Sequence, residues 1–141
     1  MEHRHLYVFT AVQILAMCLV FWILATWKTP WNAQRYVGTA LCMVGASCIA
    51  LARFQLGKSF SLKPEAKQLV TRGLYSKIRN PIYVFGVVMV AGFILVLQKP
   101  VLWLLLAVIV IGQTFRAHRE AQVLEAAFGD AYREYRRKTW F

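Results

Sequence analysis

Apolar side chains fall into four stretches along the chain, separated by short segments that carry most of the polar residues. The stretches are residues 6–27, 37–52, 82–97 and 101–115. The first is long enough to cross a bilayer as a helix, whereas the other three, of about 15 or 16 residues, need flanking residues or a thinned bilayer. The pattern predicts an all-α, polytopic integral membrane protein with about four transmembrane helices, organised as a single domain over residues 1–141.

The last two stretches predict an antiparallel helical hairpin. Residues 98–100 are the only break between them, so their far ends should meet at one membrane face. At ~1.5 Å per residue, Arg79 and Arg119 each lie about 30 Å from the turn, which matches the thickness of the hydrocarbon core. The polar clusters at residues 79–83 and 118–120 are therefore expected side by side.

Local signals predict where the helices begin and end. Asn80 suits the N-cap of the third helix and Pro81 its first position. The fourth helix has no proline or glycine between residues 113 and 128, so it should project into the cytoplasm and end at Gly129. Asp130 should cap a short last helix whose basic residues favour an anionic lipid surface.

The net charge of +11 follows the loops. Basic residues concentrate in residues 53–79 and in the tail from residue 116, whereas the loop with Lys28 and Arg35 and the turn at Lys99 hold few. By the positive-inside rule the long loop and both termini are cytoplasmic, which an even number of spans allows. This distribution argues against nucleic acid as a partner. We expect the inner membrane of a prokaryote, or the endoplasmic reticulum in a eukaryotic host.

Small residues recur along one face of the second stretch, at Gly38, Cys42, Gly45, Ala46 and Ala50. Such a stripe lets another helix approach closely, either within the chain or in a homodimer. The three cysteines lie inside apolar stretches without paired spacing. Neither a disulfide framework nor a metal site is predicted.

The polar clusters suggest a binding site for an amino-acid head group. The start of the third helix offers N–H groups and a positive dipole end, and Arg79 beside it adds a cation for a carboxylate. Glu120, on the other arm of the hairpin, supplies an anion for an ammonium group. Each residue also has a structural alternative: Arg79 as a lipid anchor, Asn80 as a cap, Tyr83 as an interfacial aromatic, Arg116 and Glu120 as a surface pair, and His118 as a solvated side chain.

Several segments resemble the isoprenylcysteine carboxyl methyltransferase family. They are residues 56–61 (LGKSFS), 69–83 (LVTRGLYSKIRNPIY), 119–124 (REAQVL), 128–129 (FG) and 132–135 (YREY). The resemblance covers about residues 50–138, while residues 1–36, with the first span and its outer loop, lie outside it. Phospholipid N-methyltransferases share much of the pattern. The chain departs from it twice, with Asn80 for a histidine and Arg119 for a glutamate.

The resemblance implies an enzyme, a membrane-embedded S-adenosylmethionine-dependent methyltransferase. Its cofactor would enter from the cytoplasm, and a lipid-soluble methyl acceptor would enter from the membrane lipid. It implies a cofactor-binding set of Tyr75, Arg79, Asn80, Pro81, Tyr83, His118, Arg119 and Glu120, with Arg79, Tyr83 and Glu120 serving catalysis. Carboxyl O-methylation is favoured because Asn80 cannot act as a base, and phospholipid or amine N-methylation is the alternative.

Two other classes compete with an enzyme. A small four-helix transporter matches the size, but proton coupling needs an acid inside a span, and the four stretches contain none. A non-catalytic membrane scaffold would keep the motif without binding the cofactor.

Overall fold

The structure is a computed structural model that describes residue 15 and residues 18–56 and 69–141. Half of the first predicted span and the loop at residues 57–68 lie outside the described part. The helices are α1 (residues 18–26), α2 (Ala33–Leu56), α3 (Pro81–Leu97), α4 (Leu102–Phe128) and α5 (Asp130–Lys138), with a short 3-10 helix at Gly73–Ser76. The described regular structure is helical apart from one isolated β-bridge, which confirms the all-α prediction.

The prediction of four spans is not confirmed. Among the described residues, α2 alone is long and apolar enough to cross a membrane, and α3 is a shorter apolar helix. α4 joins an apolar first half to a charged second half, so its apolar part is much shorter than the whole helix.

The small-residue stripe of α2 brings its backbone against that of α3. A Cβ added at Gly92 would lie 2.6 Å from the carbonyl oxygen of Gly38, and one added at Gly45 would lie 2.8 Å from Cβ of Met89. The Cys42 thiol reaches the carbonyl of Met89 at 3.4 Å. The expected close approach is therefore an intramolecular contact. Ala50 lies off the stripe and is exposed, because the buried face runs on to Ala52.

Arg35 ties the start of α2 to the end of α1 and to Thr29, whose hydroxyl donates to the Val96 carbonyl of α3 at 3.0 Å. The sequence suggested a loop charge, but this side chain lies in the first turn of α2 and is only 1% exposed. Its guanidinium donates to the carbonyl of Leu24 at 2.8 Å and to that of Thr29. It also lies over the Trp31 ring, 4.0 Å from the ring centre. Arg35 thus neutralises the negative end of α1.

The turn between α3 and α4 matches the predicted hairpin. Gln98 ends α3 with φ at 53°, and its N–H donates to the Ile94 carbonyl at 2.9 Å. Its side chain donates to Asn32 at 3.2 Å and to the Pro30 carbonyl at 3.3 Å, which docks the α1–α2 loop on this turn. α4 then runs antiparallel to α3, so the far ends of the two helices meet at the polar clusters.

α4 ends where the sequence placed its end. Gly129 has φ at 50° and donates to the Glu125 carbonyl at 2.9 Å. It is also the N-cap of α5, so Asp130 lies in the first turn instead of capping the helix as expected. There Asp130 pairs with Arg133 at 3.0 Å. α5 then buries Tyr132 and Tyr135, which fixes the helix beside the start of α3.

Candidate functional site

The first turn of α3 begins at Pro81, with Asn80 in the N-cap position. The Asn80 side chain makes no capping hydrogen bond. Its backbone carbonyl instead accepts from the N–H groups of Tyr83, at 3.0 Å, and Val84, at 3.1 Å. Pro81 has no N–H, so the N–H of Ile82 is the donor of this turn that remains for a ligand. The helix N-terminus therefore offers one donor together with its positive dipole end.

Tyr83 and Glu120 join the two arms of the hairpin. The Tyr83 hydroxyl donates to Oε1 of Glu120, which also accepts from Nε of Arg116 at 3.3 Å. The Arg116 guanidinium lies over the Tyr83 ring, 5.7 Å from its centre. Both of these contacts to Glu120 use Oε1, so within the described part of the chain Oε2 can still accept from a ligand. A plain surface pair was the structural alternative for Arg116 and Glu120; the Glu120 side chain is 23% exposed and that of Arg116 is 45% exposed.

Arg79 lies against α5. Its positive charge lies close enough to Tyr132 to oppose the effect of burial, which raises the pKa of that tyrosine. Within the described part of the chain, the Nε atom of Arg79 is buried without a hydrogen-bond partner. A buried guanidinium N–H without a partner is costly, so this atom is suited to an anionic ligand.

Tyr75 lies between the pair Tyr83 and Glu120 and the residues around Arg79. It belongs to the 3-10 helix Gly73–Ser76, which Gln55 at the end of α2 holds by accepting from the Leu74 N–H at 2.7 Å. The carbonyl of Tyr75 accepts from the buried hydroxyl of Tyr135 at 2.7 Å. Burial raises the pKa of Tyr75, with further contributions from Tyr135 and Glu120, and raises that of Tyr135 to about 12. Both phenols therefore remain neutral donors at physiological pH.

Residues 140 and 141 cover the segment that carries Arg79. Trp140 forms a parallel β-bridge with Ile78, and its N–H donates to the Lys77 carbonyl at 3.0 Å. The N–H groups of Arg79 and Asn80 donate in turn to the carbonyls of Trp140 and Phe141, at 3.1 and 3.0 Å. The backbone before α3 is therefore held in one conformation by the segment that follows α5.

The other two predicted residues on α4 point away from this cluster. His118 is exposed, and its Nδ1 lies 3.2 Å from the Thr114 carbonyl of its own helix. Arg119 is exposed as well. At about 100° per residue, a helix cannot turn residues 118, 119 and 120 to the same neighbour. The structure brings together Tyr75, Tyr83 and Glu120, with Arg79, Asn80 and Pro81 beside them.

Sequence reasoning missed four residues that shape this site. They are Gln55, Tyr132, Tyr135 and Trp140. Tyr132 and Tyr135 were part of the family resemblance and are three residues apart, so they share one face of α5. That spacing was the available signal, but it was interpreted only as an interfacial helix. Gln55 and Trp140 act through contacts with distant backbone, which no local pattern indicates.

The chemistry of this cluster fits the methionine part of S-adenosylmethionine. The partnerless Nε of Arg79 and the N–H of Ile82 can bind a carboxylate, and Oε2 of Glu120 can bind an ammonium group. Among the residues that the structure describes, no group of histidine, cysteine or acidic side chains could hold a metal ion. Fold and site together define a helical, apolar protein with a cluster of polar and charged side chains at one end.

The comparisons identify the family. A family model for phospholipid methyltransferases matches residues 33–131, from the first turn of α2 into α5. The chain therefore belongs to the phospholipid methyltransferase family, whose members are membrane-associated and use S-adenosylmethionine as methyl donor. No curated protein and no solved structure matches it significantly. The protein is a methyltransferase, as the resemblance implied.

Proposed function

We propose that the protein transfers a methyl group from S-adenosylmethionine to the amine of a membrane phospholipid, at the cytoplasmic end of the α3–α4 hairpin. The contact between Tyr83 and Glu120 carries this proposal. It places a carboxylate, oriented by a phenol, between two apolar helices. The description of the matching family supports a phospholipid as acceptor.

The carboxylate and the ammonium group of the cofactor are assigned to opposite sides of the cluster. Arg79 and the N–H of Ile82 bind its carboxylate, while Oε2 of Glu120 binds its ammonium group. Tyr132 lies close to the Arg79 guanidinium and keeps it in place in this proposal. When bound, the cofactor supplies an activated methyl group on a sulfonium. Catalysis by the chain is then mainly alignment of the acceptor and exclusion of water.

An amine acceptor must lose a proton before its nitrogen can form a bond to the methyl carbon. Asn80 cannot take that proton, since an amide does not titrate in this range. In this proposal the proton passes to the Tyr83 hydroxyl, which gives its own proton to Oε1 of Glu120 while Oε2 keeps the cofactor ammonium. The nitrogen–carbon bond forms as the carbon–sulfur bond breaks, and S-adenosylhomocysteine leaves.

Carboxyl O-methylation of the isoprenylcysteine type is the second candidate function. It is favoured by Asn80, because a carboxylate acceptor is already nucleophilic and needs no base. Methyl-labelled cofactor separates the two candidates when it is supplied with vesicles that contain either phosphatidylethanolamine or a prenylated cysteine. Label that is stable to mild base indicates N-methylation, while label released as methanol indicates a methyl ester.

Cofactor binding is tested with Arg79→Ala and Asn80→Asp. Arg79→Ala should abolish binding in calorimetry, because it removes the cation that holds the carboxylate. Asn80→Asp should weaken binding by placing a negative charge near that group. Asn80→Ala is the matched control: its side chain makes no capping bond, so both stability and binding should change little. Tight binding by a folded Arg79→Ala protein would contradict the assignment.

A further inference from the structure

Gln113 is a polar residue in the apolar half of α4 that the mechanism does not use. Its amide oxygen is buried and has no hydrogen-bond partner within the described part of the chain. The neighbouring Thr114 differs, since its hydroxyl donates to the Val110 carbonyl of its own helix at 2.8 Å. A carboxamide left without a partner in an apolar setting is unfavourable, so a ligand group is expected there.

The position of Gln113 faces α3. The amide nitrogen is the nearest group to the Cβ position of Gly86, at 3.7 Å. Gly86 follows Tyr83 by almost one turn, and Gln113 precedes Glu120 by two turns. The carboxamide therefore lies in the seam between α3 and α4, about 10 Å from the level of Glu120 toward the hairpin turn. This side faces another part of the same chain, so the residue is poorly placed to join two copies.

We propose that Gln113 binds the ester-linked glycerol backbone of the phospholipid whose amine is methylated at Glu120. The inference rests on the proposed function. In such a lipid, a phosphate and a glycerol unit separate the amine from the ester carbonyls. When the amine lies at Glu120, the esters therefore lie at the depth of Gln113. The amide nitrogen lies in the seam and makes no hydrogen bond to another described residue, so its N–H groups donate to an ester carbonyl. The oxygen accepts from a water that accompanies the head group, because the diacyl lipid has no hydroxyl.

This assignment distinguishes between acceptor classes. A prenylated cysteine has only hydrocarbon at the depth of Gln113, and hydrocarbon cannot satisfy a carboxamide. An ester-linked glycerophospholipid has hydrogen-bond acceptors there. Gln113 is therefore a specificity-determining residue that selects a lipid with a second polar group below its head group.

The test compares two lipids that differ only at the ester carbonyls. The purified protein is reconstituted in phosphatidylcholine vesicles that carry a small fraction of diacyl or dialkyl-ether phosphatidylethanolamine. Initial rates are measured with methyl-labelled cofactor, and cofactor affinity is measured by calorimetry. The wild type should prefer the diacyl lipid about five- to tenfold in kcat/KM, the range expected for one neutral hydrogen bond.

Gln113→Leu should lose this preference through a higher KM for the diacyl lipid, with unchanged cofactor affinity. Thr114→Val is the matched control and should keep the preference. Gly86→Ala adds a methyl group at an ordinary contact distance from the carboxamide, so it should fold and yet raise KM for both lipids. It also provides a readout if Gln113→Leu fails to fold.

Equal use of the two lipids by an active wild type would overturn the role of Gln113 and leave the proposed function standing. The role of Gln113 would also be overturned if the Gln113→Leu protein kept the preference for the diacyl lipid or changed only its oligomeric state. A wild type that binds the cofactor but methylates only a prenylated cysteine, or that does not bind the cofactor, would overturn both proposals.

Discussion

Replacing Glu120 by glutamine tests the cofactor site most directly. The substitution keeps an oxygen that can accept from Tyr83 but removes the charge proposed to bind the ammonium group. Losing one side of a buried charged hydrogen bond costs about 2–5 kcal/mol. The Glu120 side chain is 23% exposed and that of Arg116 is 45% exposed, so solvent screens part of the interaction. We therefore expect the lower end, about 2 kcal/mol, or roughly a thirtyfold weaker Kd.

The assay is calorimetric titration of the detergent-solubilised protein with S-adenosylmethionine, with thermal melting as a check on folding. Glu125→Gln is the matched control, because Glu125 lies on the same helix and pairs with Arg133 at 3.0 Å and Arg136 at 3.8 Å. Breaking that exposed group of ion pairs should lower stability by less than about 1 kcal/mol and leave cofactor affinity unchanged. If folded Glu120→Gln binds within twofold of the wild type, Glu120 does not hold the ammonium group.

Two further predictions concern packing and topology. Gly92→Ala should lower the melting temperature, because its Cβ would lie 2.6 Å from the Gly38 carbonyl and force α2 and α3 apart. The control is Gly112→Ala, which has no neighbour within 4 Å and should be neutral or stabilising. An unchanged melting temperature for Gly92→Ala would disprove the close approach. In a cysteine-free background, an impermeant maleimide outside sealed cells should label Lys99→Cys and spare Ser76→Cys. The reverse pattern would invert the proposed cytoplasmic location of the site.

The hairpin and its helix ends were predictable because their signals are local. Asn80-Pro81 begins α3, and Gly129 ends α4, since each depends on the conformation of one or two residues. The meeting of the two polar clusters followed from the equal distances of Arg79 and Arg119 to the turn, and the contact between Tyr83 and Glu120 is consistent with it. The Gly38 and Gly45 stripe likewise marked the face that packs on α3. Backbone geometry and the rise of a helix were sufficient to predict these features from the sequence.

The surroundings of Arg79 could not be predicted in this way. Its partner Tyr132 lies on α5, and the Tyr135 hydroxyl reaches a carbonyl 60 residues away in the chain. Such contacts depend on how α5 folds back after Gly129, and a sequence pattern does not specify that angle. His118, which the resemblance implied as a cofactor-binding residue, is exposed and lies on another face of α4 than Glu120, so its role stays a prediction.

The site is therefore assembled from elements that share few contacts of their own. Glu120 belongs to α4, Arg79 precedes α3, and Tyr132, which lies close to Arg79, belongs to α5. A zwitterionic head group bound between Arg79 and Glu120 would link these elements. Its binding free energy would then add to the stability of the folded arrangement, by about 2.7 kcal/mol at a ligand concentration of 100 times Kd. The same linkage explains why a polar cluster is retained at the open end of an apolar hairpin, where packing alone would favour hydrophobic side chains.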